Sequence, residues 1–288
     1  MVRGSYMTPG SQHLVDEILH SMLFLGKINN IPFSPEEIFP NPFVLGSLMR
    51  RYPRPFKLYS TQLPRRSPFS CVLDMIVLQN NSENEEQIKQ SLQDLLTDLD
   101  LEENNKKTAF VSSTICISQK SQTNKSERYC GVSMSTKGPN AGKIMIAASC
   151  LSKWHKYVSG AVMTYYPNTV QKDYFDGTIE VPGNIRCEAF CLRDGARMKP
   201  CRSCKNLFGL NTEDLREWPY GNCAEAESLS NLLENEREVE THVDEYSAEK
   251  DNRQRAEDEV DGFLELCCKG FGLTGQVNFT TQNKSEIS

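Results

Sequence analysis

The sequence predicts an α/β fold with a mixed β-sheet flanked by helices, and three observations point to it. Short apolar runs bounded by turn residues recur through the middle of the chain and read as strands. Other segments carry apolar residues at the helical period. With 288 residues, 38% apolar and 24% charged, the chain can bury a sizeable core and has an ordinary globular composition.

Residues 11 to 25 predict an amphipathic helix with Leu14, Ile18, Leu19 and Met22 on one side. Prolines at 32, 35, 40, 42, 53, 55, 64 and 68 then interrupt regular structure and predict a segment that wraps a core built elsewhere. Cys71 to Leu78 reads as a buried strand, and Glu85 to Leu99 as a helix whose Ile88, Leu92, Leu95, Leu96 and Leu99 keep the period. Residues 108 to 118, 128 to 135 and 143 to 149 read as strands, the last two flanking a turn at Lys137 to Gly142. The GPNAGK stretch from Gly138 to Lys143 is one residue short of a phosphate-loop spacing, so a hairpin turn is the better reading. A helix over about 151 to 165 follows, then strands near 177 to 181 and 185 to 193.

Residues 234 to 261 are dominated by Glu and Asp and read as a solvated helix or protein-interaction arm. Phe263, Leu264, Leu266, Cys267, Cys268 and Phe271 form a short apolar patch expected to dock back, and residues 275 to 288 read as a frayed tail. The division expected is an N-terminal extension over 1–107, a core over 108–240 and an acidic segment with its tail over 241–288.

No apolar run approaches the roughly 18 residues needed to span a bilayer, which predicts no membrane partner. Eleven cysteines without a regular spacing predict thiols in a reducing compartment, hence a cytoplasmic protein with the nucleus as the alternative. A net charge of −6 argues against broad, salt-sensitive adhesion to nucleic acid but leaves local basic surfaces open. One such stretch interleaves Arg50, Arg51, Arg54, Lys57, Arg65 and Arg66 with Tyr52, Phe56, Tyr59 and Phe69, a pattern that suits either a single strand of nucleic acid or packing.

The main chemical signal lies between Pro200 and Leu233. A PCRSC segment with Cys201 and Cys204 precedes GNCAEAESLSNLL, which holds Cys223 and Glu225. Two cysteines separated by two residues at a helix start can face one ion, and Cys223 supplies a third sulfur. Three thiolates leave a fourth position to water, the arrangement of an open zinc site, and thiolates favour Zn2+. Asn222 or Gly221 is the expected cap of the second helix, with Ala226, Leu229 and Leu233 toward the core. Glu225 is placed near the helix start, and Glu227 is expected to face solvent.

These segments resemble the cytidine-deaminase-like zinc deaminase superfamily. Its CAE motif is similar to Cys223-Ala224-Glu225 and its PCxxC to Pro200-Cys201-Arg202-Ser203-Cys204, although here PCxxC precedes CAE, the reverse of the usual order. The resemblance implies a deaminase-like core over 108–240 with an N-terminal α/β extension, and zinc on Cys201, Cys204 and Cys223. It further implies that Glu225 shuttles protons in hydrolytic deamination of a nucleobase, nucleoside or nucleic acid, of cytosine or adenine type.

Other readings stand beside it. One is a non-enzymatic zinc-binding protein acting through protein interactions, in antiviral or immune defence; another is a single-stranded nucleic-acid-binding module. The three cysteines are alternatively buried thiols, or part of a four-ligand site completed by Cys187, Cys191, Cys267, Cys268 or a histidine. Cys187 and Cys191 read as core thiols on one strand face. Cys150 and His155, five residues apart on a predicted helix, point in different directions.

Overall fold

The computed structural model describes residues 11–80, 84–102, 110–121, 126–136, 138–246 and 252–272. Four strands form one sheet in the order β2-β1-β3-β4: β1 (Thr114–Gln119), β2 (Tyr129–Val132), β3 (Arg186–Cys191) and β4 (Arg197–Met198). All three pairings are antiparallel, with Ile117 opposite Cys130 on one side and Glu188 on the other. The expected mixed sheet is corrected to an antiparallel one. Residues 143–149 are helical, and β3 pairs antiparallel with the other edge of β1.

One sheet face carries Ile115, Ile117, Cys130 and Val132, which join a buried cluster with the N-terminal helices. Those are α1 (Gln12–Lys27), α2 (Pro35–Ile38), α3 (Pro42–Arg51), α4 (Pro53–Leu58), α5 (Pro68–Asn80) and α6 (Glu85–Glu102). α1 contributes Leu14, Ile18 and Leu19, and α6 contributes Ile88 and Leu92 with Leu95 and Leu96 behind, as their periods predict. The prolines do not prevent regular structure in this region. Pro35, Pro42, Pro53 and Pro68 each open a helix, where the missing N–H has no intrahelical partner to lose. Ser34 and Glu37 close a capping box on α2, and the Asn41 side chain accepts from Phe43 N and Val44 N at the start of α3.

The second half adds α7 (Pro139–Ser152), α8 (Lys156–Tyr165), α9 (Arg202–Phe208), α10 (Ala224–Asn235), α11 (Arg237–Tyr246) and α12 (Arg253–Gly270). Two expected strands are corrected: Cys71 to Leu78 lies in α5 and residues 143–149 in α7. Pro68 to Leu73, Met75 and Ile76 are buried, as are Ile144 to Ala148, so each helix buries most of its circumference and shows a broad apolar run in place of a stripe. The expected hairpin turn is likewise the start of α7, with Gly138 as its N-cap at φ 86°. The helix expected over 151–165 begins only at Lys156, where the His155 side chain caps it by accepting from Tyr157 N. Residues 177–181 are extended but outside the sheet. Ile179 N and Val181 N donate to Leu207 O and Phe208 O at 3.0 Å, satisfying the C-terminal carbonyls of α9.

The acidic segment forms α11 and the start of α12. Ala256, Val260, Leu264 and Cys268 pack α12 into the main cluster, and the Phe263 ring meets Tyr166 edge-on at 5.5 Å. Of the expected docking patch, Leu266 faces solvent. Residues 275–288 lie outside the described residues. No described helix is long and apolar enough to cross a membrane.

Candidate metal centre

α10 lies on the sheet face opposite the N-terminal cluster, and a glycine permits its approach. A Cβ on Gly131 of β2 would stand 2.2 Å from Ser228 N and 2.6 Å from Ala224 O, so the helix and strand backbones touch. Polar contacts fix the helix in rotation. Ser118 and Ser228 share a hydrogen bond of 2.9 Å, Asn231 Nδ2 donates to Cys130 O at 2.8 Å, and Val132 N donates to Glu227 Oε2 at 2.8 Å. Just before the helix, Asn222 O accepts from Met134 N at 2.8 Å.

Cys223 is the N-cap of α10 and Cys201 the N-cap of α9, both with extended backbone and no capping bond from the side chain. The expected cap at Asn222 or Gly221 is therefore one residue further on. Leu207 and Phe208 bury α9 in the main core. Ser203 Oγ holds its first turn by donating to Trp218 O and accepting from Trp218 N, and Arg202 N donates to Arg216 O at 2.9 Å.

The two helix starts converge. Cys201 Sγ lies 3.7 Å from Cys204 Sγ and 3.4 Å from Cys223 Sγ, and all three sulfurs are within 4.8 Å of one another. A tetrahedral ion with bonds of about 2.3 Å to sulfur separates its ligands by roughly 3.8 Å, so the triad fits such an ion with little movement. Cys201 and Cys204 are buried and Cys223 is half-buried. Contacts with the sulfurs of Cys204 and Cys223 pull the Cys201 thiol down to about 2, while the thiols of those two partners are pushed up.

Glu225 stands beside these sulfurs at 5% exposure. Burial pushes its carboxyl up to about 7; its own backbone N–H and a hydrogen bond from Cys204 act the other way, and the charge on Cys201 adds to the rise. No described cation pairs with it. Glu227 is corrected from solvent-facing to buried: its carboxylate accepts from Val132 N and from Ser70 Oγ. Ser70 adjoins Arg66, which pairs with Glu17 at 2.8 Å and with Asp74. The two glutamates of one helix turn therefore face different surroundings, Glu225 the thiols and Glu227 a polar network reaching α1 and α5.

Among the described residues, no fourth Cys, His, Asp or Glu joins the triad at that spacing. Cys187 instead lies 3.6 Å from Cys116, sulfur to sulfur, across β1 and β3. Cys116 escaped sequence reasoning although it faces α10 and feels the charge of Glu225; the alternation of β1 was its signal. Cys191 ends β3 half-buried, and Cys267 and Cys268 belong to α12. Cys150 is a core thiol, and His155 caps α8 with Nε2 3.4 Å from Glu240, so the two have separate roles. Much of the Arg50 to Phe69 interleaving is packing: Tyr52, Pro55 and Phe69 are buried, Arg66 is ion-paired, and Arg65 Nε donates to Ser152 O.

No protein-family model, curated protein or solved structure matches the chain.

Proposed function

We propose that Cys201, Cys204 and Cys223 hold one zinc ion and that Glu225 moves protons beside it in hydrolytic deamination of a nucleobase, free or within a nucleoside or nucleic acid. The observation that carries this reading is a carboxylate buried against three sulfurs spaced to hold a metal ion, without a compensating cation. A purely structural site gains nothing from such a group, whose burial is costly. The resemblance to the zinc deaminases supports the same assignment of residues.

When bound, zinc would supply a Lewis acid that lowers the pKa of a water molecule. Glu225 would take a proton from the attacking water and give it to the ring nitrogen as the oxygen bonds to the carbon bearing the amine. A second proton, from the added hydroxyl, passes through the same carboxyl to the amine. The carbon–nitrogen bond then breaks, leaving a carbonyl and ammonia. α10 holds Glu225 for both transfers, because Glu227 and Asn231 lock its rotation against β2.

The test is elemental analysis of the purified chain beside Cys201→Ser, Cys223→Ser and Glu225→Ala, with cytosine and adenine substrates screened as base, nucleoside and oligonucleotide. About one zinc per chain is expected, lost in both serine variants. Glu225→Ala should keep its zinc and lose at least ~100-fold in turnover. A chain prepared without chelator that holds no zinc would overturn the proposal, and activity surviving Glu225→Ala would remove the role of that carboxylate.

A further inference from the structure

The triad lies beside a concentration of positive charge that contrasts with the chain's net charge of −6. Residues 193–205 carry Arg193, Arg197, Lys199, Arg202 and Lys205 against a single carboxylate, Asp194. All six are exposed. Arg197 is paired with Glu188 at 2.7 Å. Lys199, Arg202 and Lys205 form no ion pair among the described residues, although they frame the two cysteines of the first turn of α9. Arg202 and Lys205, three apart, share the outer face of that helix while Cys204 and Ser203 face inward.

The segment from Gly209 to Pro219 packs on the start of α9 and brings Glu213, Asp214 and Glu217, of which Asp214 is paired with Arg216. It is pinned to α9 through Ser203 and Arg202, which places Trp218 next to that first turn. Trp218 remains 52% exposed, whereas the other tryptophan of the chain, Trp154, is buried. An exposed indole beside unpaired cations suits a ligand that offers both phosphates and flat rings. An acidic protein segment would answer the charge and leave the indole unused. A duplex would keep its bases stacked, away from the ring and from Glu225.

We propose that this surface binds single-stranded nucleic acid, with Lys199, Arg202 and Lys205 along the phosphates and a base stacked on Trp218, so that the neighbouring nucleotide reaches the metal centre. The inference rests on the deaminase reading for its final clause, and narrows its substrate class from a free base or nucleoside to a base within a strand. Phosphate contacts supply most of the affinity and make it salt-dependent, while stacking contributes without strong sequence preference.

The experiment is fluorescence anisotropy of a labelled mixed-sequence single-stranded oligonucleotide, titrated with the full chain over a series of salt concentrations and read beside tryptophan emission. The expected result is binding that quenches tryptophan emission and weakens steeply with salt. Lys199→Glu with Arg202→Glu and Lys205→Glu should weaken it at least ~10-fold and flatten the log–log salt slope by about 2. Trp218→Ala should abolish the quench. Zinc content and thermal unfolding of each variant report whether the metal site and fold survive, and Lys199→Glu alone, outside any helix, should weaken binding ~2- to 5-fold with both intact. No binding at low salt, equal binding by the triple variant, or equal binding of duplex or poly-glutamate would each overturn the proposal. Oligonucleotide binding without base conversion would leave this surface standing and remove the catalytic reading. Conversion of free nucleosides without strand binding would do the opposite.

Discussion

Glu225 and Glu227 sit two positions apart and are both buried, yet they invite opposite expectations for stability. Glu227 satisfies a backbone N–H of β2 and the hydroxyl of Ser70, so its removal strands two buried groups. Glu227→Ala should therefore cost about 3 kcal/mol of unfolding free energy, measured as a lowered urea midpoint. Glu225→Gln in metal-free protein should cost far less, because it removes a carboxylate that burial already disfavours. The sequence showed the three sulfurs and Glu225 because their spacing is chemical and local. It did not show the role of Glu227, whose partners, Ser70 and Val132, are distant in the chain. A carboxylate on an amphipathic helix reads as solvent-facing until those partners are known.

Among the elements, legibility followed burial. α1 and α6 each bury one stripe, and their periods were readable. α5 and α7 are surrounded, lose the stripe, and imitate strands. The start of α10 was legible to within one residue, but the close contact that positions it was not, because Gly131 is an unremarkable letter within a short strand. Gly131→Ala would drive its methyl into the backbone of residues 224–228 and force α10 away from the sheet. We expect a loss of about 2 kcal/mol in stability. Cys223 should move away from Cys201 and Cys204, and competition with a chromophoric chelator should show zinc held at least ~10-fold more weakly than in the unmodified chain. Retention of full zinc affinity would mean that α10 is not the element that sets the triad.

At the scale of the whole molecule, Glu85 ties distant parts of the chain together. Its carboxylate, at the start of α6, meets Arg186 of β3 at 2.7 and 3.0 Å, Arg128 at 3.3 Å and Lys89 at 3.2 Å. Burial alone would raise its pKa, but the hydrogen bonds and charge of Arg186, with help from Lys89, hold it down to about 2. A carboxyl depressed in the folded state stabilises fully above its unfolded value near 4.5, and that contribution is lost as pH falls from there toward 2. Glu85→Gln should therefore cost about 2 kcal/mol at pH 7 and much less at pH 3, as judged from urea midpoints at the two values. A penalty independent of pH would show that the network acts through shape and not charge.

The order of the two cysteine segments has a consequence for folding kinetics. Both segments lie within residues 201–223, with only eighteen residues between Cys204 and Cys223. Closing so short a loop takes well under a microsecond in an unfolded chain, far faster than assembling a sheet whose β1 and β3 are separated by more than half a hundred residues. An ion present during synthesis can thus be captured by a local hairpin of chain before the long-range core exists, and the metal would then act as a folding nucleus around which α9 and α10 are already paired when the sheet arrives.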